Sequence, residues 1–302
     1  MGISKVANAL VIVAYGNVRE KNLNNLEVNY KERISGLFTD GFEKALLNAA
    51  FSNLNVPNPL RFNNFAYSLR ELLRHVLHRL SPDGDISQCD WFKPDPTSST
   101  GYTRQHRLKY AIQGGLSDFY VTKKLKIDEI DDVIRELLSI IKLLSGYTHI
   151  ESHTFDISES EVEKLSTECL EVTLRFVEKI SETRNEILGM LIDEIDRNLL
   201  ERIISESVTE IIELSTHQYI EDIYHDGAYV DRIGPKSLTL KVTGHLDCEL
   251  QYGSGSDIRR GDGGIIATSF PFFGTIDVKF KAPLGSVMEV DSLNVDTSSW
   301  YE

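Results

Sequence analysis

Three cysteines are few for 302 residues, and Cys89, Cys169 and Cys248 stand far apart. An odd number without close spacing gives neither a disulfide framework nor a four-ligand zinc site. Also missing is an uncharged apolar stretch of about 18 residues, the length that a membrane-spanning helix requires. The early apolar run from Ala7 to Ala14 is too short to span, and it lacks the layout of a signal peptide. No internal repeat and no low-complexity tract occurs. What is present is a chain 41% hydrophobic and 26% charged. That composition fits a globular protein with room for two modest domains, expected in the reducing cytoplasm.

The formal net charge of −14 argues at first against a nucleic-acid partner. Its distribution argues otherwise. Residues 1–58 carry a net +1, residues 59–126 a net +5 with three histidines, residues 127–226 a net −17 and residues 227–302 a net −3. One basic island therefore lies in an acidic chain. Either it pairs with the acidic helices inside the fold, or its Lys and Arg side chains stay exposed and bind a polyanion.

The first 35 residues give no clear pattern, because Asn22, Asn24, Asn25 and Asn29 compete with helix backbone bonding. From a cap at Thr39 or Asp40, residues 42–53 have helical composition, and Pro57 and Pro59 stop them. Residues 61–80 form the clearest amphipathic helix. Phe62, Phe65, Ala66, Leu69, Leu72, Leu73, Val76, Leu77 and Leu80 follow three-and-four spacing in one wide stripe. A polar loop leads to a short basic helix beginning near Thr103, which breaks at Gly114-Gly115. Asp128 caps a helix to about Leu144, ended by Gly146, and residues 147–155 make a linker. A Ser158/Glu161 capping box then opens helical pattern to about Leu214, expected as two or three helices. Their acidic outer face accounts for the charge of this region without any function.

After Asp226-Gly227 the period changes to two. Leu238, Leu240, Val242, Leu246, Cys248, Leu250 and Tyr252 alternate with polar residues, as do Ile276, Val278 and Phe280. The expected class is α+β: a mainly helical domain over residues 1–226, then a small, sandwich-like antiparallel β domain over residues 227–302 for binding, dimerisation or sensing.

Arg70 and His75 match R-x4-H. Cleaving RNA through its own 2′-hydroxyl needs a group that moves a proton near neutral pH, for which His is suited. It also needs a permanent cation for the charge gathering on the phosphate, for which Arg is suited. No metal or cofactor is expected. Helical geometry separates Arg70 and His75 by about 140°, so they do not aim at one spot. Arg70, Arg74 and His78, with Tyr67 nearby, form a continuous stripe instead. A site using Arg70 and His75 needs a distorted helix end or a second copy of the helix. The bland reading is a solvated Arg/His face.

Tyr102, Arg104, His106, Arg107 and Lys109 form a second basic cluster with an aromatic residue, suited to phosphate and base contact or to salt bridges with the acidic helices. His149 and His153 flank Glu151, but β-branched neighbours make a loop of that segment rather than a metal-binding helix turn. The Gly253–Gly264 loop, with Arg259 and Arg260, has no strand-to-helix change and no GK[ST], so it reads as a hairpin connection.

The R-x4-H spacing resembles that of the HEPN ribonucleases, which are helical, metal-independent and typically built at dimer interfaces. Their consensus favours Asn, Asp or His after the arginine, and Glu71 departs from it. Longer stretches, Asn58–Asp83, Thr103–Asp118, Tyr147–Ile157, Leu250–Gly264 and Ser269–Phe272, resemble the predicted pPIWI-associating nucleases of bacteria. That resemblance implies a nucleic-acid target and a role in anti-phage or anti-plasmid defence, and it assigns no catalytic residue.

Together these lead to a HEPN-like helical bundle acting as a metal-independent endoribonuclease. Arg70 and His75 are expected as catalytic, with Arg74, His78, Tyr102, Arg104 and Arg107 holding RNA. A homodimer and a defence-system partner protein are implied by the resemblances alone. A non-catalytic adaptor or sensor and a metal-dependent DNase are the competing expectations.

Overall fold

The structure, a computed structural model, describes residues 25–38, 41–205 and 209–301. The Ala7–Ala14 run and the cap expected at Thr39 or Asp40 lie outside the described residues. The architecture is α+β, helices followed by one antiparallel sheet. No described helix is long and apolar enough to cross a membrane.

The chain forms two compact units. The first holds the described residues up to Ile86, with Lys93–Ile112 and Asp128–Ser181. The second holds Ser87–Phe92, Gln113–Ile127 and the described residues from Glu182 onward.

In the first unit, helix α1 covers residues 25–35 despite its asparagines. Burial of Leu26 and Ile34 offsets the poor local propensity. Helix α2 (Gly41–Asn55) and helix α3 (Arg61–Leu80) follow. The α3 stripe from Phe62 to Leu77 is buried as its spacing requires, and the helix stops before Pro82. Then come the single turn α4 (Asp83–Ile86), the basic helix α5 (Arg104–Gln113), the short α6 (Asp118–Lys123) of the second unit, and α7 (Ile130–Tyr147). The N-cap position of α7 falls on Glu129, in left-handed conformation and with no side-chain cap bond, rather than on Asp128. Nor does Gly146 end that helix. The Asn63 side-chain amide donates to the Tyr147 carbonyl at 2.9 Å, and the Tyr147 ring meets Phe62 edge-on at 4.7 Å, which holds the last turn.

The two or three helices expected after Ser158 are one, α8 (Glu159–Ser205), 47 residues long. With no proline and one glycine in it, nothing in its sequence breaks the backbone bonding. Glu161 N–H donates to Ser158 Oγ at 3.3 Å, one half of the anticipated capping box. Its first half, with Cys169, Phe176 and Ile180 buried, belongs to the first unit; its second half, with Ile187, Leu191, Ile195 and Leu199 buried, belongs to the second.

The second unit continues with the turn α9 (Thr209–Ile212), then β1 (His217–Ile233), β2 (Ser237–Tyr252), the short α10 (Gly255–Arg260), β3 (Gly264–Lys279), β4 (Met288–Val295) and a closing 3₁₀ turn. Strand β1 thus starts well before the change of period at Asp226. Irregularities between Ile220 and Asp222, His225 and Gly227, and Val230 and Arg232 disrupt its alternation, hiding it from a period-two reading. The described strands form a single sheet in the order β1-β2-β3-β4, not a two-layer sandwich. Its buried face carries Leu238, Leu240, Val242, Phe270, Ile276 and Val278, and helix α8 meets β4 where Asn198 Nδ2 lies 3.5 Å from Met288 Sδ. No second sheet is formed among the described residues. The Gly-rich loop contains α10, opened by a Ser254/Asp257 capping box and closed by Gly261 at φ +81°.

Candidate functional site

Within the first unit, α3, the start of α5 and Ile141 of α7 enclose a cavity of ≈ 220 Å³. Arg70, Glu71, Arg74 and His78 of α3 face it, and Arg104 and Arg107 reach it from α5. Leu73, Leu77 and Ile141 complete its wall. The α3 apolar stripe anchors the helix, and the residues flanking that stripe are left to line the opening. Steps of four residues turn about 40° around the axis, which keeps Arg70, Arg74 and His78 within one sector.

The cations are held in different ways. Glu71 Oε1 accepts from Arg70 Nη2 and Glu71 Oε2 from Arg74 Nε, both at 2.8 Å. Burial by itself would raise the Glu71 pKa, but the hydrogen bonds and charges of Arg74 and Arg70 draw it below the usual range. Arg107 is fixed at three points. Its Nη1 donates to Ser81 O at 2.7 Å, its Nη2 lies 2.6 Å from Asp83 Oδ1, and its carbonyl accepts from Ser81 Oγ at 2.6 Å. Arg104 is exposed and has no ion-pair partner among the described residues. It stands at the first position of α5, where the helix dipole adds positive potential. Arg70 Nε is buried without an acceptor among the described residues, an unspent donor beside the cavity. Four guanidiniums against the carboxylates of Glu71 and Asp83 leave a net +2 before His78 is counted.

His78 is the imidazole among the cavity's lining residues. Burial first, then Arg107 and Arg74, hold its pKa below the ordinary histidine value, with Asp83 opposing them. An imidazole in that state is neutral at pH 7 and able to accept a proton.

Two expected residues lie elsewhere. His75 is outside the cavity lining; its ring meets Phe42 edge-on at 5.0 Å, and its Nε2 lies 3.2 Å from Arg74 Nη2. Tyr102 is half-buried in the loop before α5, where its carbonyl accepts from Ser98 Oγ at 2.7 Å. Of the seven residues expected from the sequence, Arg70, Arg74, His78, Arg104 and Arg107 therefore come together, and His75 and Tyr102 do not join them. Glu71 is the member whose role went unread, although its three-residue spacing to Arg74 is a visible pairing signal. Ile141 arrives through tertiary packing, which leaves no local trace.

The remaining motifs settle into structural roles. His106 caps the first turn of α5, accepting from Thr103 N–H at Nδ1 over 3.3 Å. Arg260 pairs with Asp257 at 2.6 Å and Asp262 at 3.6 Å inside the β2–β3 connection. His153 Nδ1 is 3.4 Å from Glu151 in an exposed turn. Among the described residues, no group of three or more His, Cys, Asp or Glu gathers closely enough to hold a metal ion.

Comparison with the curated proteins and with the solved structures gives no match. Two family profiles do match, both described as predicted pPIWI-associating nuclease, one over residues 35–173 and the other over residues 180–301. The first takes in the whole cationic cavity and the second the whole sheet. A match along nearly the full length, shared by both compact units, means that this chain belongs to the predicted pPIWI-associating nucleases.

Proposed function

We propose that the protein is a nuclease that meets a sugar–phosphate chain in the Arg70–Arg107 cavity and cleaves RNA without a metal. The observation that carries the reading is the gathering of four guanidiniums and one neutral-leaning imidazole around a single opening. Arg104 and Arg107 hold non-bridging phosphate oxygens, and Arg70 and Arg74 oppose the negative charge that grows as the phosphorus becomes five-coordinate. His78 takes the proton of the 2′-hydroxyl, whose oxygen then attacks phosphorus while the 5′-oxygen leaves with a proton from solvent. The ribose hydroxyl supplies the nucleophile, and the guanidiniums supply the positive charge. The helical setting and the Arg/His composition of α3 support a HEPN-type site in which His78 takes the histidine's part. A homodimer belongs to that reading, with His78 as the base within each copy and His75 outside the opening. The family's association supports a role in bacterial defence beside a partner protein.

A non-catalytic adaptor is the second reading. What favours it is that Glu71 and Asp83 neutralise part of the cavity's charge.

Incubation of the full chain with end-labelled single-stranded RNA and DNA, in EDTA and separately in magnesium or manganese, separates the readings. RNA cleavage in EDTA is expected. Cleavage only with added metal contradicts the proposal, and silence in every arm favours the adaptor.

A further inference from the structure

The second unit contains a cavity unconnected with the arginine cluster. It measures ≈ 200 Å³ and is walled by Trp91, Tyr120 and Phe280, with Lys281 and Asp90 as its charged members. Sites for drug-sized ligands run to roughly 300–1,000 Å³, so this one suits a single ring system carrying a small substituent.

The walls are built rather than incidental. Trp91 Nε1 donates to Gly114 O at 2.8 Å, which fixes the indole. Gly115 N–H donates to Gly234 O at 2.9 Å, and a Cβ at Gly115 would fall 1.8 Å from Pro235 O. The glycine thus lets the loop before α6 press against the β1–β2 turn, and that close approach forms one side of the cavity. On the other side, Phe280 N–H donates to Lys236 O at 3.0 Å, holding the backbone that carries Phe280 and Lys281.

Polar capacity is left over. Among the described residues, Lys281 has no ion-pair partner, and the Tyr120 hydroxyl has only the Met190 thioether, 3.9 Å away. The carboxylate of Asp90 is neutralised by Lys236 at 2.6 Å, so it does not cancel the Lys281 charge, and it keeps lone pairs for an N–H donor. Three ring systems, an unpaired ammonium and a few hydrogen-bonding groups make a combination that recognises a flat aromatic ring with an anion attached.

We propose that this cavity binds a nucleotide unit, its base among Trp91, Tyr120 and Phe280 and its phosphate at Lys281. The unit comes either as a free mononucleotide or as the end of a nucleic-acid strand, and the site stands whether or not the arginine cavity cleaves RNA.

Trp91 reports occupancy directly. In the full chain carrying Trp300→Phe, it is the one tryptophan that remains. Its emission is followed during titration with AMP, with adenosine and with a short 5′-phosphorylated oligonucleotide. Saturable quenching by AMP below 1 mM is expected, weakened about tenfold or more by Lys281→Glu, with adenosine weaker than AMP. Quenching by AMP assigns the site to free nucleotide; saturable, Lys281-dependent quenching by the oligonucleotide alone assigns it to a strand end. No saturable change with either phosphate-bearing probe would overturn the proposal. So would quenching that survives Lys281→Glu unchanged, or AMP quenching that adenosine matches. A circular-dichroism spectrum matching the parent shows that the Lys281→Glu chain is folded.

Discussion

Glu71 holds Arg70 through a 2.8 Å contact between Oε1 and Nη2, and the same carboxylate reaches forward to Arg74. Two of the four cavity guanidiniums are therefore oriented and half neutralised by one side chain that is 18% exposed. Phosphate has to compete with that carboxylate for them.

Glu71→Gln removes the competing charge and keeps the side-chain length. Single-stranded RNA is expected to bind about fivefold more tightly, roughly 1 kcal/mol, with a steeper dependence on salt. Fluorescence anisotropy across a salt series measures both. Weaker binding with an unchanged salt slope would mean that Glu71 acts by positioning the arginines and not by opposing the ligand's charge.

Not every arginine of the basic island serves the cavity. Arg79 donates to both oxygens of Glu43, each at 2.8 Å, and to Leu37 O at 2.7 Å. The Glu43 side chain is only 2% exposed, so Arg79→Ala takes its bidentate cation away from a buried carboxylate. A loss of about 3–5 kcal/mol is expected in urea unfolding of the helical unit. RNA affinity per folded molecule should remain at the parent value.

All three cysteines are buried. Burial, with the Glu168 charge adding to it, pushes the Cys169 thiol up to about 12, and burial with Asp247 and Glu221 pushes Cys248 to about 11. Thiolate is then scarce at pH 8, and thiol reagents need it. Titration with an aromatic disulfide reagent should find fewer than one reactive thiol in the native protein and three after unfolding. Rapid native labelling would show that one of these sites opens.

The sequence made some elements legible and concealed others for definite reasons. Helix α3 could be read residue by residue because its stripe obeys a single period. The grouping of Arg70, Arg74 and His78 followed from the same geometry, as did the divergence of His75. The convergence of Arg104 and Arg107 on that stripe depends on Ser81 and Asp83 gripping Arg107, a tertiary event that neither segment encodes by itself. Strand β1 escapes a period-two reading because its bulges break the alternation, and α8 runs as one helix because no proline interrupts its 47 residues. The aromatic cavity of the second unit gathers residues from three distant stretches, and no window of sequence contains it.

The state of His78 sets the pH dependence. A base must be unprotonated, and the His78 pKa is lowered by burial, Arg107 and Arg74. The rate of RNA cleavage should therefore rise with pH through a midpoint below 6.5 and level off by neutrality. Arg107→Gln removes one of the cations behind the shift, so that midpoint should move upward. A rate that continues to climb tenfold per unit between pH 7 and 9 would assign the proton transfer to another group.

The two histidines of α3 provide the most direct test. Single-turnover cleavage of labelled RNA in EDTA is measured for the parent, His78→Ala and His75→Ala, each checked for folding by circular dichroism. Loss of about 10²–10⁴-fold in His78→Ala, with His75→Ala within severalfold of the parent, is the expected result. The reverse, with His78→Ala active and His75→Ala dead, would contradict a proton transfer made within one copy of the cavity.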